Sequence, residues 1–221
     1  YIALEMCESL VGLNIAVEMV KPNPVFMPWL EPSMARAVRE GLEAKGVGVY
    51  AGHPVERIET SGDGLKVICP DLTLTADMVL VGIGVNPCSR IAATADLELG
   101  VKKSIAVDRN LRTSDINIYA AGDCADAYHV VTGEKTWVPL ALRANRSGWA
   151  VADNVCGKDV ALDGVAGTSV FRVFDFEVAR TGLNVSDAEK FDFDPVENMI
   201  KSGSKAHAHP GNTIIRVNMI G

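Results

Sequence analysis

The sequence has 221 residues, a formal net charge of -7, and 48% hydrophobic against 22% charged residues, which suits one large folded domain or parts of two and argues against disorder. Acidic residues outnumber basic ones and no basic run occurs, so nucleic acid is not an expected partner; the most apolar stretch, MVLVGIGV at 78–85, is far short of the ~20 residues that cross a bilayer. Five widely spaced cysteines (Cys7, Cys69, Cys88, Cys124 and Cys156) without a C-x-x-C pair indicate a reducing, cytoplasmic setting and disfavour zinc.

Taken in order, YIALEMCESLVG reads as a helix with Ile2, Met6 and Leu10 on one face and Ala3, Cys7 and Val11 beside them. No capping residue precedes it, and from this the N-terminus is expected to be truncated. NIAVEMV (14–20) follows as a buried strand. EPSMARAVREGLEAKG (31–46) reads as a second helix, with Pro32 in its first turn, Met34, Val38 and Leu42 inward, and Gly46 past its end. The runs VGVYA, VERIET, LKVICP and LTLTA read as short strands around an SGDG turn, and MVLVGIG as a fully apolar strand. Alternation followed by a meander points to an α/β domain with antiparallel outer strands.

From about residue 87 loops dominate, with strands expected at IAVD and NIYAA. PLALRANRSGWAVADNVCG (139–157) resumes as a helix carrying a small-residue stripe of Ala141, Ala144, Gly148, Val151 and Val155. TSVFRVF and FEVARTG read as strands, SDAEKF as a helix start boxed by Ser186 and Glu189, and TIIRVNM (213–219) as a last strand. The final domain is expected to be incomplete.

Three positions bear on chemistry. Glu18, taken to lie at the end of its strand, reads either as an acid for the ribose hydroxyls of a dinucleotide or as a solvated glutamate. Gly82 and Gly84 in VGIGVNP permit backbone approach to a ligand, or simply a tight turn. Asp123, reached after Gly122 at the end of INIYAAGD, could accept hydrogen bonds from a polyol; the alternative is a turn or capping aspartate.

TSDINIYAAGDCAD resembles the second flavin-binding signature of the pyridine nucleotide-disulfide oxidoreductase family, whose aspartate holds the ribityl chain of FAD. YIALEM resembles the helix after the glycine turn of the family's NAD domain, ADMVLVGIGVNP the strand closing that domain, and TWVPLALRANRSG the segment that meets the flavin ring. GTSVFRVFDFEVARTGL is similar to the start of the interface domain in the subgroup of CoA-disulfide reductases, NADH oxidases and NADH peroxidases.

The resemblance implies three pieces: an incomplete Rossmann-like NAD domain (1–86) without its first strand and glycine turn, the C-terminal part of an FAD-binding domain (87–160), and the start of an α+β dimerisation domain (161–221). Tyr1, Glu5, Glu18, Gly82 and Gly84 would serve NAD, and Gly122, Asp123, Pro139, Leu140 and Ala141 would serve FAD. The implied protein is a homodimeric flavoenzyme that passes electrons from NADH, or NADPH, through FAD to a small-molecule disulfide, persulfide, peroxide or oxygen. Glu18 favours NADH, with Lys21 three residues on as a counterweight.

The redox-active cysteine would precede this region, which leaves the catalytic residues unknown; His207 and His209 are candidate proton donors, and Cys124 reads as a small buried residue of the flavin signature. The competing readings are a catalytically inactive α/β fragment with residual nucleotide affinity, and a flavin reductase serving a separate redox protein. An absent central strand would leave open sheet edges, so edge-mediated association is expected.

Overall fold

The opening run does form a helix, α1 (Ile2–Gly12), with Tyr1 at its N-cap and no side chain satisfying the first turn, in the computed structural model, which describes all 221 residues. Of its two adjacent apolar stripes, the one carrying Cys7 and Val11 faces the core. Leu4 and Cys7 are buried, whereas Ile2 is exposed, because packing from later elements decides which apolar stripe is covered.

Strand β1 (Glu18–Lys21) pairs in parallel with β2 (Gly48–Ala51), in register from Glu18↔Gly48 to Lys21↔Ala51. Glu18 therefore opens the paired strand rather than ending it, as the sequence had suggested; residues 14–17 form no ladder. Between the strands runs α2 (Pro32–Ala44). Pro32 fills the first turn, where a missing N–H costs nothing, and the Glu31 carboxylate accepts from the amides of Ser33 and Met34. Ala35, Val38 and Leu42 face the core, with Met34 half-buried beside them.

Strands β3 (Arg57–Ser61), β4 (Gly64–Ile68) and β5 (Thr73–Ala76) form the expected antiparallel meander, turned tightly at Gly62, whose φ is 62°. The apolar run 78–85 is not a strand, which corrects the expectation. An extended segment counts as sheet only when a neighbour takes its hydrogen bonds, and no segment of this chain lies beside it in that way.

Residues Tyr1–Gly82, Val170–Val178 and Asn184–Gly221 make one unit, and Ile83–Ser169 with Ala179–Leu183 make a second. In the first, Phe171 and Val173 of β8 (Ser169–Val173) and Val178 of β9 (Phe176–Arg180) share a core with Leu4, Val38 and Leu42. The turn between β8 and β9 is fastened at both ends: Phe174 N–H donates to Glu8 Oε2 at 2.7 Å, and Lys45 pairs with Asp175 at 2.9 Å. A short helix, α5 (Val185–Glu189), is capped by the Asn184 side chain, which accepts from the Asp187 amide, and not by the expected Ser186–Glu189 box. The last strand, β11 (Ile214–Ile220), forms as expected and pairs along seven residues with β10 (Glu197–Gly203), which the sequence reading did not anticipate.

The second unit has little regular sheet. IAVD and NIYAA contribute single bridges, Ile105 to Leu99 and Ala125, and Tyr119 to Arg112, rather than the strands expected. A short helix α3 (Arg90–Thr94) and a small ladder, β6 (Ala127–Tyr128) with β7 (Lys135–Thr136), complete the loop region. Its apolar core is built from small side chains, four alanines among them, around Ile105, Val107 and Leu111. Helix α4 (Ala141–Val155) packs through Arg143, Ser147, Ala150 and Asn154, a mostly polar line; of the anticipated stripe, Ala141, Gly148 and Val155 are exposed. No helix of the chain is long and apolar enough to cross a membrane.

Candidate functional site

The loop carrying Asp123 is held by α4. Gly122 has a φ of 84°, a region that side chains rarely adopt, and its two backbone polar groups both engage α4: the N–H donates to Ser147 Oγ at 3.0 Å, and the carbonyl accepts from the Arg143 guanidinium. Trp137 Nε1 donates to the Asp123 carbonyl at 2.7 Å, tying the segment before α4 to the same loop. Asp123 is thus fixed through its backbone. Its carboxylate is exposed and has no hydrogen bond or ion pair within the chain.

At the same place α4 begins with Leu140 as N-cap and no capping side chain, so the amides of its first turn have no protein acceptor and carry the positive end of the helix dipole. Pro139 and Leu140 are half-buried and Ala141 exposed. A free carboxylate for hydroxyl groups and a row of free amides for an electron-rich ring edge form a donor and acceptor set that fits a flavin with its ribityl chain.

Beneath the loop lies a cluster that sequence reasoning missed. Asp126 is buried, with its side chain wholly inaccessible, and Oδ1 accepts from the Val107 amide at 3.1 Å and from Lys135 Nζ at 2.8 Å. Arg143, also buried, donates to the carbonyls of Asp126 and Gly122, and so joins the acid to the candidate loop. Burial lowers the pKa of the Arg143 guanidinium, opposed by the negative charges of Asp126 and Asp123. Oδ2 of Asp126 has no hydrogen-bond partner and sits against Gly100, where any Cβ would collide with it. The only signal for this cluster in the sequence was an arginine on a helix otherwise read by its small residues.

In the first unit, Tyr1, Glu5 and Gly82 gather at the start of α1. Tyr1 packs its ring against Trp29 and Phe171, with centroids 5.5 and 5.1 Å away, and Glu5 is exposed in the first turn. Gly82 runs so close to the helix that a Cβ would stand 3.2 Å from that of Ala3. Gly84 belongs to the second unit and has a φ of 105°. Glu18 is separate from these, exposed on the β1–β2 face, where it accepts from the Tyr50 hydroxyl at 3.3 Å. Lys21 is engaged elsewhere: Nζ donates to the Val25 carbonyl at 2.7 Å, and burial lowers its pKa.

His207 and His209 are exposed in the turn between β10 and β11. All five cysteines are free, and no group of histidine, cysteine and acidic residues could hold a metal ion. A surface depression of about 220 Å³ lies along β3–β5 and includes none of the predicted site residues.

The profile of the family described as pyridine nucleotide-disulphide oxidoreductase matches residues 1–148. The sequence is 31% identical, over 96% of the chain, to a protein of Pyrococcus furiosus described as NAD(P)H sulfur oxidoreductase (CoA-dependent), of which the match covers 48%. It is 32% identical, over 99% of the chain, to an NADH oxidase of Methanocaldococcus jannaschii, of which it covers 49%. Among solved structures, the NAD-dependent persulfide reductase from A. fulgidus is similar with a TM-score of 0.93 and 34% identity, over 98% of this chain and 41% of that one. The chain spans about half the length of the curated relatives it matches.

Proposed function

This chain belongs to the pyridine nucleotide-disulphide oxidoreductase family, and from that membership we propose that it contributes flavin and nicotinamide dinucleotide sites to an oxidoreductase that passes electrons from NAD(P)H through FAD to a disulfide, persulfide, peroxide or oxygen. The observation that carries the reading is the free Asp123 carboxylate, on a loop pinned by Arg143 and Ser147 beside the uncapped start of α4. FAD, when bound, supplies the redox chemistry: it accepts a hydride equivalent and passes electrons on. The chain's own part is binding and orientation. Asp123 accepts hydrogen bonds from the polyol, the first-turn amides of α4 stabilise negative charge on the ring edge, and Pro139, Leu140 and Ala141 line the ring.

In this reading residues 1–86 serve the nicotinamide dinucleotide, 87–160 the flavin and 161–221 a dimerisation domain of a cytoplasmic homodimer. Tyr1 and Glu5 flank the nicotinamide and Gly82 lets the backbone approach it; Glu18, at the amino end of β1, lies at the edge opposite to the one where a dinucleotide binds and does not fit the ribose role. The electron donor is NADH or NADPH; Lys21, which ends β1, donates to the Val25 carbonyl. His207 and His209 donate protons to an acceptor brought against their turn, a role their exposure permits. Five unpaired cysteines agree with a reducing compartment.

The test is the visible spectrum of the purified protein supplied with FAD, recorded before and after NADH. The reading expects a bound flavin that bleaches, and an Asp123→Ala variant that binds FAD at least about tenfold more weakly, as for loss of charge-assisted hydrogen bonds. Protein that takes up no flavin, or a variant that binds it as tightly as the parent, would sink the proposal.

A further inference from the structure

Tyr1, which the dinucleotide reading sets beside the nicotinamide, does not hold its own pose. It stands at the amino end of α1, the end of a helix that a dinucleotide meets in a doubly wound sheet, and is 46% exposed. Its ring leans on Phe171, 5.1 Å away at 53°, and on Trp29, and those two rings meet edge to face at 6.2 Å. Phe171 is buried and belongs to β8. The orientation of Tyr1 is thus set by a strand far along the chain.

Strand β8 runs beside α1 in the same direction. Phe171 meets Tyr1, and three residues on the Phe174 N–H donates to Glu8 Oε2 at 2.7 Å. The spacings agree, since three strand residues cover about 10 Å and so do the seven helical steps from Tyr1 to Glu8. Phe171 and Val173 face the core while Val170 and Arg172 are exposed, so a slide of one residue along the helix would bring Val170 or Arg172 under the Tyr1 ring. Apolar contacts press the hairpin down without direction, as where Phe176 seats on Gly41 and leaves no room for a Cβ. The Lys45–Asp175 pair at the turn is exposed on both sides and correspondingly weak. The bond from Phe174 to Glu8 is directional and charge-assisted, and it holds Phe174 at a φ of 50°, which a bulky residue rarely adopts.

We infer that Glu8 is a positioning residue: by pinning the β8–β9 turn it fixes Phe171 under Tyr1 and so sets the Tyr1 ring for a nicotinamide. The inference rests on the proposed place of Tyr1 beside the nicotinamide. Glu8 acts through Phe174 and Phe171, not by contact with the dinucleotide. A ring fixed in advance needs no ordering when the ligand arrives, whereas a ring free to turn must be ordered at each binding event. The effect is confined to the nicotinamide half of the dinucleotide.

Calorimetric titration of the full-length, FAD-loaded protein with nicotinamide mononucleotide and with 5′-AMP separates the two halves without reference to turnover. Glu8→Ala should weaken binding of the mononucleotide about threefold or more and leave 5′-AMP unchanged, and Glu8→Gln, which keeps an acceptor oxygen, should restore most of the loss. Phe171→Leu, which keeps the core apolar but removes the ring, should give the same split and serves if Glu8→Ala does not fold. Variants that bind both ligands as the parent does, or that lose both in equal proportion as for general loosening, overturn the inference. Tyr1→Leu separates the two claims. If it weakens the mononucleotide while Glu8→Ala and Phe171→Leu do not, Tyr1 keeps its place and Glu8 loses its role; if it changes nothing, the nicotinamide site itself is misplaced and the role of Glu8 falls with it.

Discussion

Replacing Lys135 by methionine isolates the buried acid under the Asp123 loop. Asp126 is inaccessible and its carboxylate is met at 2.8 Å by a lysine whose side chain is 30% exposed, so the pair lies between the surface and interior regimes. Two unit charges at about 4 Å and an effective dielectric near 20 attract by about 4 kcal/mol, and a deeply buried pair broken on one side costs about 3–5 kcal/mol. Partial solvation of Lys135, together with the hydrogen bond that Asp126 keeps from Val107, puts the expected loss at about 2–4 kcal/mol. Lys135 also donates to the Val107 carbonyl, and that bond is lost as well.

The assay is urea unfolding of the parent, Lys135→Met, Asp126→Leu and the double variant as a thermodynamic cycle. The double variant should recover much of the loss, because an apolar pair leaves no charge behind. FAD affinity should fall with the single variant, since Arg143 bridges the Asp126 and Gly122 carbonyls. A Lys135→Met variant within about 0.5 kcal/mol of the parent, or a double variant no better than the single one, would refute the charge-pair argument.

Two further outcomes are expected. Gly100→Ala should destabilise the second unit by about 1–3 kcal/mol, because its Cβ meets an Asp126 carboxylate that is held in place; unfolding by circular dichroism reads this, and a neutral result would mean that the acid can move aside. Glu31, although burial works to raise its pKa, is held below the ordinary carboxylate range by the Ser33 hydroxyl, by the amides of Ser33 and Met34 and by nearby Arg36. A depressed carboxylate stabilises the fold above its unfolded pKa, and the contribution is lost as pH falls below about 4. Exchange protection at the start of α2 should drop in that window and Glu31→Gln should abolish the drop; equal profiles for parent and variant would count against it.

What could be read in advance follows the physics of each element. Helix α2 was legible because proline, an apolar stripe and a terminal glycine agree on its limits, and the Glu31 cap adds to them in the structure. Helix α4 was legible in length but not in orientation, since Arg143, Ser147 and Asn154 turn inward for hydrogen bonds that no apolar periodicity records. The cap of α5 was misread because Asn184 and Ser186 are both good capping residues, and only the chain's entry angle chooses between them. Apolar runs at 78–85 and 117–121 have strand composition, yet strand is a property of a pair. Asp123 was singled out by resemblance to a known signature, whereas Asp126, Lys135 and Tyr50 depend on partners 9 to 32 positions away and leave no local trace.

The seven buried polar side chains, Ser89, Ser104, Asp126, His129, Arg143, Ser147 and Asn154, all belong to the second unit, whose apolar core is rich in alanine. Exposing apolar surface raises the heat capacity of a chain, whereas exposing polar surface lowers it. The second unit should therefore unfold with a smaller heat-capacity increment per residue than the first, which buries phenylalanine, leucine and valine. Its stability curve is correspondingly flat, and cooling, which weakens contacts among hydrocarbon side chains, takes less from the half of the molecule that carries Asp123.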